Sequence, residues 1–251
     1  MKKYSKRLLA LLLACIMVLA CGVTAFAIDI PNATENCKTL SPNTWRTAFE
    51  FTDQAQENGI YTVSKVTLPC TGTLSISMAT LDGEPKMDDY GFGAIGLSIC
   101  NTKPSYEDVY FSRYSGSYKI LGFGGKSVVT HTLTMKRGTY YLASDLELKF
   151  KYTFKPAKTA VSSAKNTSSK AAKVKWKKVS GVTGYQIQYS TKSDFSSKKT
   201  VTVKKDSTTS KKIESLKKGK KYYVRVRSYT TVNGTKCYSE WSAKKTVKIT
   251  K

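Results

Sequence analysis

Asp82, Glu84, Asp88 and Asp89 crowd the stretch Leu81-Asp-Gly-Glu-Pro-Lys-Met-Asp-Asp-Tyr90. Hard carboxylate oxygens in a glycine-containing loop are what a calcium ion binds, so these are the candidate metal ligands. Their spacing is not that of an EF-hand, and a solvated acidic loop is the plainer reading. Tyr106, Tyr110, Phe111, Tyr114 and Tyr118 crowd the next polar segment. Exposed, the tyrosines could stack on the C–H faces of sugar rings; alternating along strands, they simply cover a sheet. His131, the only histidine, sits among alternating apolar residues and reads as a satisfied core side chain rather than a base. Ser162-Ser-Ala-Lys165 and Ser196-Ser-Lys-Lys199 match Ser-x-x-Lys, but in a segment this rich in Ser and Lys the match has no weight as a nucleophile. No acid–base constellation can be assembled from one histidine and scattered carboxylates, so the chain reads as non-catalytic.

The N-terminal residues direct the chain out of the cytoplasm. Lys2, Lys3, Lys6 and Arg7 precede an apolar run from Leu8 to Ala20 that is short for a membrane span. Ala25-Phe-Ala27 is a small-x-small cleavage site, which makes residues 1–27 a signal peptide and Ile28 the first mature residue. Val18-Leu-Ala-Cys21 is also a loose lipobox, and a lipoprotein anchored at Cys21 is the alternative. The chain has no Leu-Pro-x-Thr-Gly sorting motif and no apolar C-terminal tail, which speaks against covalent wall attachment. The expectation is a secreted or cell-surface protein with no transmembrane segment once mature.

The largest chemical signal is charge. The formal net charge is +25, and it is not evenly shared. Residues 28–156 carry 13 Lys+Arg against 13 Asp+Glu, whereas residues 157–251 carry 25 against 4. That step places a domain boundary near residue 156, between a domain at 28–155 and one at 156–251. Like charges at this density repel and do not help folding. They attract polyanions, with a salt dependence set by counterion release. Lys217, Lys218, Lys220, Lys221, Arg225 and Arg227 are the candidate polyanion residues. Outside a cell the matching partners are anionic cell-wall polymers, acidic polysaccharide or mucin, or extracellular DNA contacted without specific nucleic-acid recognition. A lysine surface that only keeps a display or spacer protein soluble is the rival reading.

Beyond the signal segment the cysteines are Cys37, Cys70, Cys100 and Cys237. Spacing cannot choose among the three possible pairings. With only Cys237 in the second domain, the expectation is at most one disulfide, within the first, and a free or buried Cys237. The absence of any Cys-x-x-Cys pair excludes a zinc ribbon.

The elements that must position these groups are all strands. In the first domain the alternating runs are Trp45–Phe51, Leu74–Met78, Val129–Met135 and Leu146–Phe154; Tyr61–Leu68 and Leu97–Cys100 are β-rich or apolar, and Thr139–Leu142 follows the turn at Lys136-Arg-Gly138. No stretch shows the spacing of an amphipathic helix, so a sandwich or jelly roll is expected. Val66-Thr-Leu-Pro-Cys-Thr-Gly-Thr-Leu-Ser-Ile-Ser77, Gly96-Leu-Ser-Ile-Cys-Asn101 and Leu133-Thr-Met-Lys-Arg-Gly-Thr-Tyr-Tyr-Leu142 resemble the bacterial pre-peptidase C-terminal domain over roughly residues 45–155. The resemblance implies a non-catalytic appendage of exported enzymes, some of which bind calcium or polymers.

In the second domain Ala157–Ala172 serves as connector and edge strand. Val174 and Trp176 then alternate with Lys173, Lys175 and Lys177. Gly181-Val-Thr-Gly184 turns the chain into Tyr185, Ile187 and Tyr189, Val201 and Val203 form a further strand, and Asn233-Gly234 is a hairpin turn. Leu216-Lys-Lys-Gly-Lys-Lys-Tyr222 has the spacing of the tyrosine corner of Greek-key sandwiches. After it Tyr222, Val224 and Val226 face the core, while Tyr223, Arg225, Arg227 and Tyr229 face outward, where the arginines can stack on Trp241. A single return strand holds Tyr238, Trp241, Val247 and Ile249. Val174-Lys-Trp176, Gly181 to Tyr189, the corner, and Tyr238-Ser-Glu-Trp-Ser242 together resemble a fibronectin type III domain. That family implies a spacer, display or adhesion module without catalytic residues. The fold expected is therefore all-β: a jelly-roll-like sandwich followed by a fibronectin type III or immunoglobulin-like one.

Overall fold

The structure is a computed structural model that describes residues 35–47, 61–81, 95–101, 119–122, 125–143 and 148–251. These residues fall in one compact unit, Thr34–Lys251, and among them the regular structure is strand throughout. In chain order the strands are β1 (Glu35–Thr39), β2 (Arg46–Thr47), β3 (Tyr61–Leu68), β4 (Gly72–Thr80), β5 (Ile95–Cys100), β6 (Lys119–Gly122), β7 (Val128–Met135), β8 (Gly138–Ala143) and β9 (Leu148–Pro156). They continue with β10 (Val161–Ser168), β11 (Ala171–Trp176), β12 (Gly184–Ser190), β13 (Lys199–Val203), β14 (Ser210–Ile213), β15 (Lys221–Val232), β16 (Thr235–Tyr238) and β17 (Lys245–Lys248).

The first nine strands make two sheets, ordered β1-β3-β8-β5-β6 and β2-β9-β4-β7. Period-two patterning decides which face is buried. Leu74, Ile76 and Met78 on β4 and Phe150, Tyr152 and Phe154 on β9 are buried, with Ser75, Ser77, Lys151 and Thr153 between them only partly covered. The turn at Pro69–Thr71 is an arch that carries the chain from one sheet to the other, since β3 and β4 do not pair. Lys136-Arg137 crosses in the same way between β7 and β8, where the Tyr140 hydroxyl donates to the Lys136 carbonyl at 3.0 Å.

One expectation for this part needs correction. His131 is not in the core: among the described residues β7 is an outer strand of its sheet, paired with β4, and His131 is half-buried. Its Nε2 is hydrogen-bonded to the Gly122 carbonyl at 2.8 Å. Trp45 is exposed, with the Lys151 and Lys149 ammonium groups 4.8 and 5.9 Å from its ring centroid. Phe49, Phe51 and residues 144–147 lie outside the described residues.

The second group of strands forms a three-stranded sheet, β10-β11-β14, and a sheet ordered β13-β12-β15-β16 in which β17 also pairs β15. Val174, Trp176, Tyr185, Ile187, Tyr222, Val224 and Val226 are buried, and the Trp176 and Tyr185 rings pack 5.3 Å apart. The tyrosine corner forms: the Lys217 N–H donates to the Tyr222 hydroxyl at 3.0 Å, and Gly219 turns at φ 80° while its N–H donates to the Ile249 carbonyl at 2.7 Å. Asn233 and Gly234, at φ 48° and 79°, make the primed turn that matches strand twist between β15 and β16.

The expected single return strand is instead two. β16 pairs with Tyr229–Val232 and β17 with Lys221–Val224, and the chain between them is held by serines. The Ser228 and Val226 N–H groups donate to Ser239 Oγ and Ser242 Oγ at 3.1 and 3.0 Å. The Ser239 and Ser242 N–H groups donate back to the Ser228 and Val226 carbonyls at 3.0 and 2.9 Å. Two side-chain oxygens thus stand in for strand carbonyls.

β9 runs into the second sandwich with a connector of only residues 157–160 before β10. The Ala157 N–H donates to the Thr71 carbonyl at 3.1 Å, and Ser228 Oγ donates to the Ala157 carbonyl at 2.7 Å. Lys155 and Glu240 pair at 2.6 Å, and Asn233 Nδ2 donates to Ser41 Oγ at 3.2 Å. Gly181, at φ 78°, lies against Pro69 and Cys70: a Cβ there would sit 2.5 Å from the Pro69 carbonyl oxygen. Cys70, Cys237 and Tyr152 belong to one hydrophobic cluster that also holds Val174 and Tyr185. The two sandwiches therefore share a core.

Candidate functional site

Strand register places the charged side chains of the second sandwich. Arg225 stands opposite Gln188 and Arg227 opposite Gln186 on the β12–β15 ladder. Arg225 Nε and a terminal nitrogen both donate to Gln188 Oε1, at 3.0 and 2.7 Å. Arg227 does the same to Gln186 Oε1 at 2.9 and 2.6 Å. The guanidinium planes lie between aromatic rings. Arg225 is 4.1 Å from the Phe195 centroid and 4.5 Å from that of Trp241. Arg227 is 4.3 Å from Trp241 and 3.9 Å from Tyr238. The result is an alternating stack, Phe195–Arg225–Trp241–Arg227–Tyr238.

This stack forms because Ser239 and Ser242 hold the chain beside β15 and leave Trp241 over its outward face. The Arg–Trp contact expected from sequence is present. Both guanidinium pKa values are lowered by desolvation first. With their planes covered and their forks on glutamine, the arginines are fixed structural cations rather than groups free to clamp a ligand.

Tyr229 departs from the expectation that it faces out. It is 3 % exposed. Across the ladders it is flanked by Gly184, which has no side chain, and by Tyr238, whose ring centroid is 6.0 Å away; the Lys236 ammonium lies 5.5 Å above it. β9 also packs beside β15 and β16 here. The outward side of β15 is covered at this end, and burial raises the Tyr229 pKa, with Tyr238 adding to it.

The lysines behave differently. Every lysine from Lys158 to Lys251 is exposed. Lys217, Lys218 and Lys220 surround the corner, and Lys221 opens β15 with its ammonium 5.4 Å from the Tyr223 ring. Lys221 stands opposite Lys248 of β17. On the other sheet Lys165 stands opposite Lys173, and Lys173 opposite Lys212. Carboxylates offset little of this: among the described residues the ion pairs are Lys212–Glu214 at 2.9 Å and Lys155–Glu240 at 2.6 Å. Both carboxyl pKa values are lowered by the hydrogen bond from their lysine.

The other sequence candidates are not brought into this site. Asp82, Glu84, Asp88 and Asp89 lie outside the described residues, as do Tyr106, Tyr110, Tyr114 and Tyr118. Among the described residues no group of His, Cys, Asp and Glu could hold a metal, and no helix is long and apolar enough to cross a membrane. Cys70 and Cys237 are buried thiols. Burial first, and Cys237 second, push the Cys70 thiol up to about 11.

The fibronectin type III domain family matches residues 154–245, and this stretch is a domain of that family. No curated protein matches the chain. Among solved structures, the Fn3-like protein from Clostridium thermocellum is 26% identical over 37% of this chain and 91% of its own, with a TM-score of 0.31. The fn3 domain of human contactin 1 is 24% identical over 38% of this chain and 80% of its own, with a TM-score of 0.30. A structure described as a myokine is 19% identical over 39% of this chain and 99% of its own, with a TM-score of 0.32. The likeness of residues 45–155 to the pre-peptidase C-terminal domain has no counterpart in the family match and rests on the sequence motifs alone.

Proposed function

We propose that this protein is a non-catalytic extracellular binding module whose fibronectin type III domain holds anionic polymers at its lysine surface. The observation that carries the reading is that the lysines of residues 157–251 all project to solvent, in a stretch with 25 Lys+Arg and 4 Asp+Glu. A fold gains nothing from that arrangement, because like charges repel across its surface. A polyanion gains from it, since each neutralised anionic group releases a condensed counterion. Lysine is a mobile point charge without the planar fork of arginine, so such a surface reads charge density rather than stereochemistry. Anionic wall polymer and acidic extracellular polysaccharide fit that description, and so does DNA contacted without base recognition. The signal segment read from residues 1–27 would deliver the protein to them.

The test is retention of the full-length protein on matrices bearing an anionic polymer or neutral dextran. Retention on the anionic matrix at physiological ionic strength, with none on dextran, supports binding. Flow-through on both leaves a display or spacer protein whose lysines keep it soluble.

A further inference from the structure

The three-stranded sheet carries an arrangement that the sequence does not reveal. Lys165 on β10, Lys173 on β11 and Lys212 on β14 are successive cross-strand partners. All are exposed, and they share a face, because their neighbours Ala172, Val174 and Ile213 are buried on the other. Lys175 lies two residues along β11 on the same face, between Ser163 and Ser210. Adjacent strands lie about 4.8 Å apart, and residues two apart on one strand are separated by about 6.7 Å. The face is thus a small grid of lysines that leave the backbone at closely spaced points, each carrying a mobile ammonium group. Like charges directly opposite one another destabilise a sheet. Glu214, at 2.9 Å from Lys212, is the carboxylate paired with this row.

The outward positions of the grid hold lysine and serine and no aromatic ring. Binding of single-stranded nucleic acid uses rings for base stacking, and sugar recognition uses them for C–H faces. A polysaccharide with one carboxylate per several sugars spaces its charges too widely for this grid. A linear polymer of phosphates or phosphodiesters brings anions close together and asks only for point cations.

Resting on the polyanion reading above, we infer that Lys165, Lys173 and Lys212, flanked by Lys175, form the binding face for a linear phosphate-backbone polymer. The corner lysines and the stacked arginines are not that face. Glu214 competes with the ligand for Lys212.

The experiment measures binding of full-length protein to inorganic polyphosphate as a function of salt. The sheet variant Lys165→Gln/Lys173→Gln/Lys212→Gln is compared with the corner variant Lys217→Gln/Lys218→Gln/Lys220→Gln. Each lysine–phosphate contact contributes about 0.7 to the slope of log affinity against log salt for a single-stranded polyanion, so the sheet variant should lose about 2 from the slope. Its affinity should drop at least about tenfold at physiological salt, while the corner variant stays near wild type. Glu214→Gln should bind more tightly than wild type, a gain that no folding defect can produce. An unchanged slope in the sheet variant, or a loss confined to the corner variant, overturns the assignment of the face. Tighter binding to polygalacturonate than to polyphosphate or duplex DNA at equal charge overturns the ligand class. If wild type binds none of the three polymers, the polyanion reading falls, and this inference with it.

Discussion

Lys173 stands directly opposite Lys212 across the β11–β14 ladder, with Lys165 opposite it on the other side. Replacing the middle member by glutamate converts two repulsive cross-strand pairs into attractive ones. Lys173→Glu should stabilise the domain by about 1 kcal/mol at low ionic strength, and by less as salt screens the pairs. Urea midpoints at two ionic strengths check this. An equal gain at both would mean that the effect is not electrostatic.

Trp241 separates the two guanidinium planes. Trp241→Ala removes one face of both stacks and leaves Arg225 and Arg227 with Phe195, Tyr238 and their glutamines. Each cation–π contact is worth about 0.5–2 kcal/mol, so loss of the two should cost about 1–4 kcal/mol of unfolding free energy. Because these arginines are structural, polyphosphate affinity under conditions where the variant is fully folded should be unchanged. Denaturant unfolding and binding titration read the two effects separately.

The phenols of the two sandwiches do different amounts of work. Tyr152 donates to the Leu40 carbonyl at 2.9 Å from a buried position, whereas the Tyr222 hydroxyl accepts from Lys217 at an exposed corner. Tyr152→Phe strands a carbonyl away from water and should cost about 1–3 kcal/mol; Tyr222→Phe leaves an N–H that water can reach and should cost about 1 kcal/mol or less. A ranking of the two chemical-denaturation midpoints tests the difference.

Cys70 gives a pH dependence with a definite sign. Burial raises its pKa in the folded protein from 9.0 to about 11, so the folded state favours the neutral thiol. Its contribution to stability is full below the unfolded-state value and is lost as pH rises from about 9 toward 11. The stability difference between wild type and Cys70→Ala should therefore shift against wild type across that window. Alkylation of Cys70 at pH below that window, read by peptide mass spectrometry, should be far slower in native than in denatured protein.

Local rules made much of the second sandwich legible. The Leu216–Tyr222 spacing gives the corner, Asn233-Gly234 gives its turn, and alternation gives the inward Val224 and Val226, because each depends on residues near in sequence. The meeting of Trp241 with Arg225 and Arg227 follows from the shared outward face of the two arginines, although Trp241 lies between β16 and β17 rather than on a strand. What escaped depends on contacts between distant segments. Tyr229 alternates outward correctly, but its outward side is covered by Tyr238 and closed off near β9. The return segment broke into two strands because Ser239 and Ser242 offered their own oxygens to β15. The Lys165–Lys173–Lys212 row needs the register of three strands, one of which, β14, lies far along the chain from the β10–β11 hairpin. The acidic and tyrosine clusters of the first domain fall outside the described residues.

The most direct test of the account is the salt dependence of polyphosphate binding by the unaltered full-length protein. Neutralisation of about four phosphates by the sheet lysines predicts that log affinity falls against log salt with a slope of about −3. Absence of binding at low salt, or an affinity that does not change with salt, would contradict it.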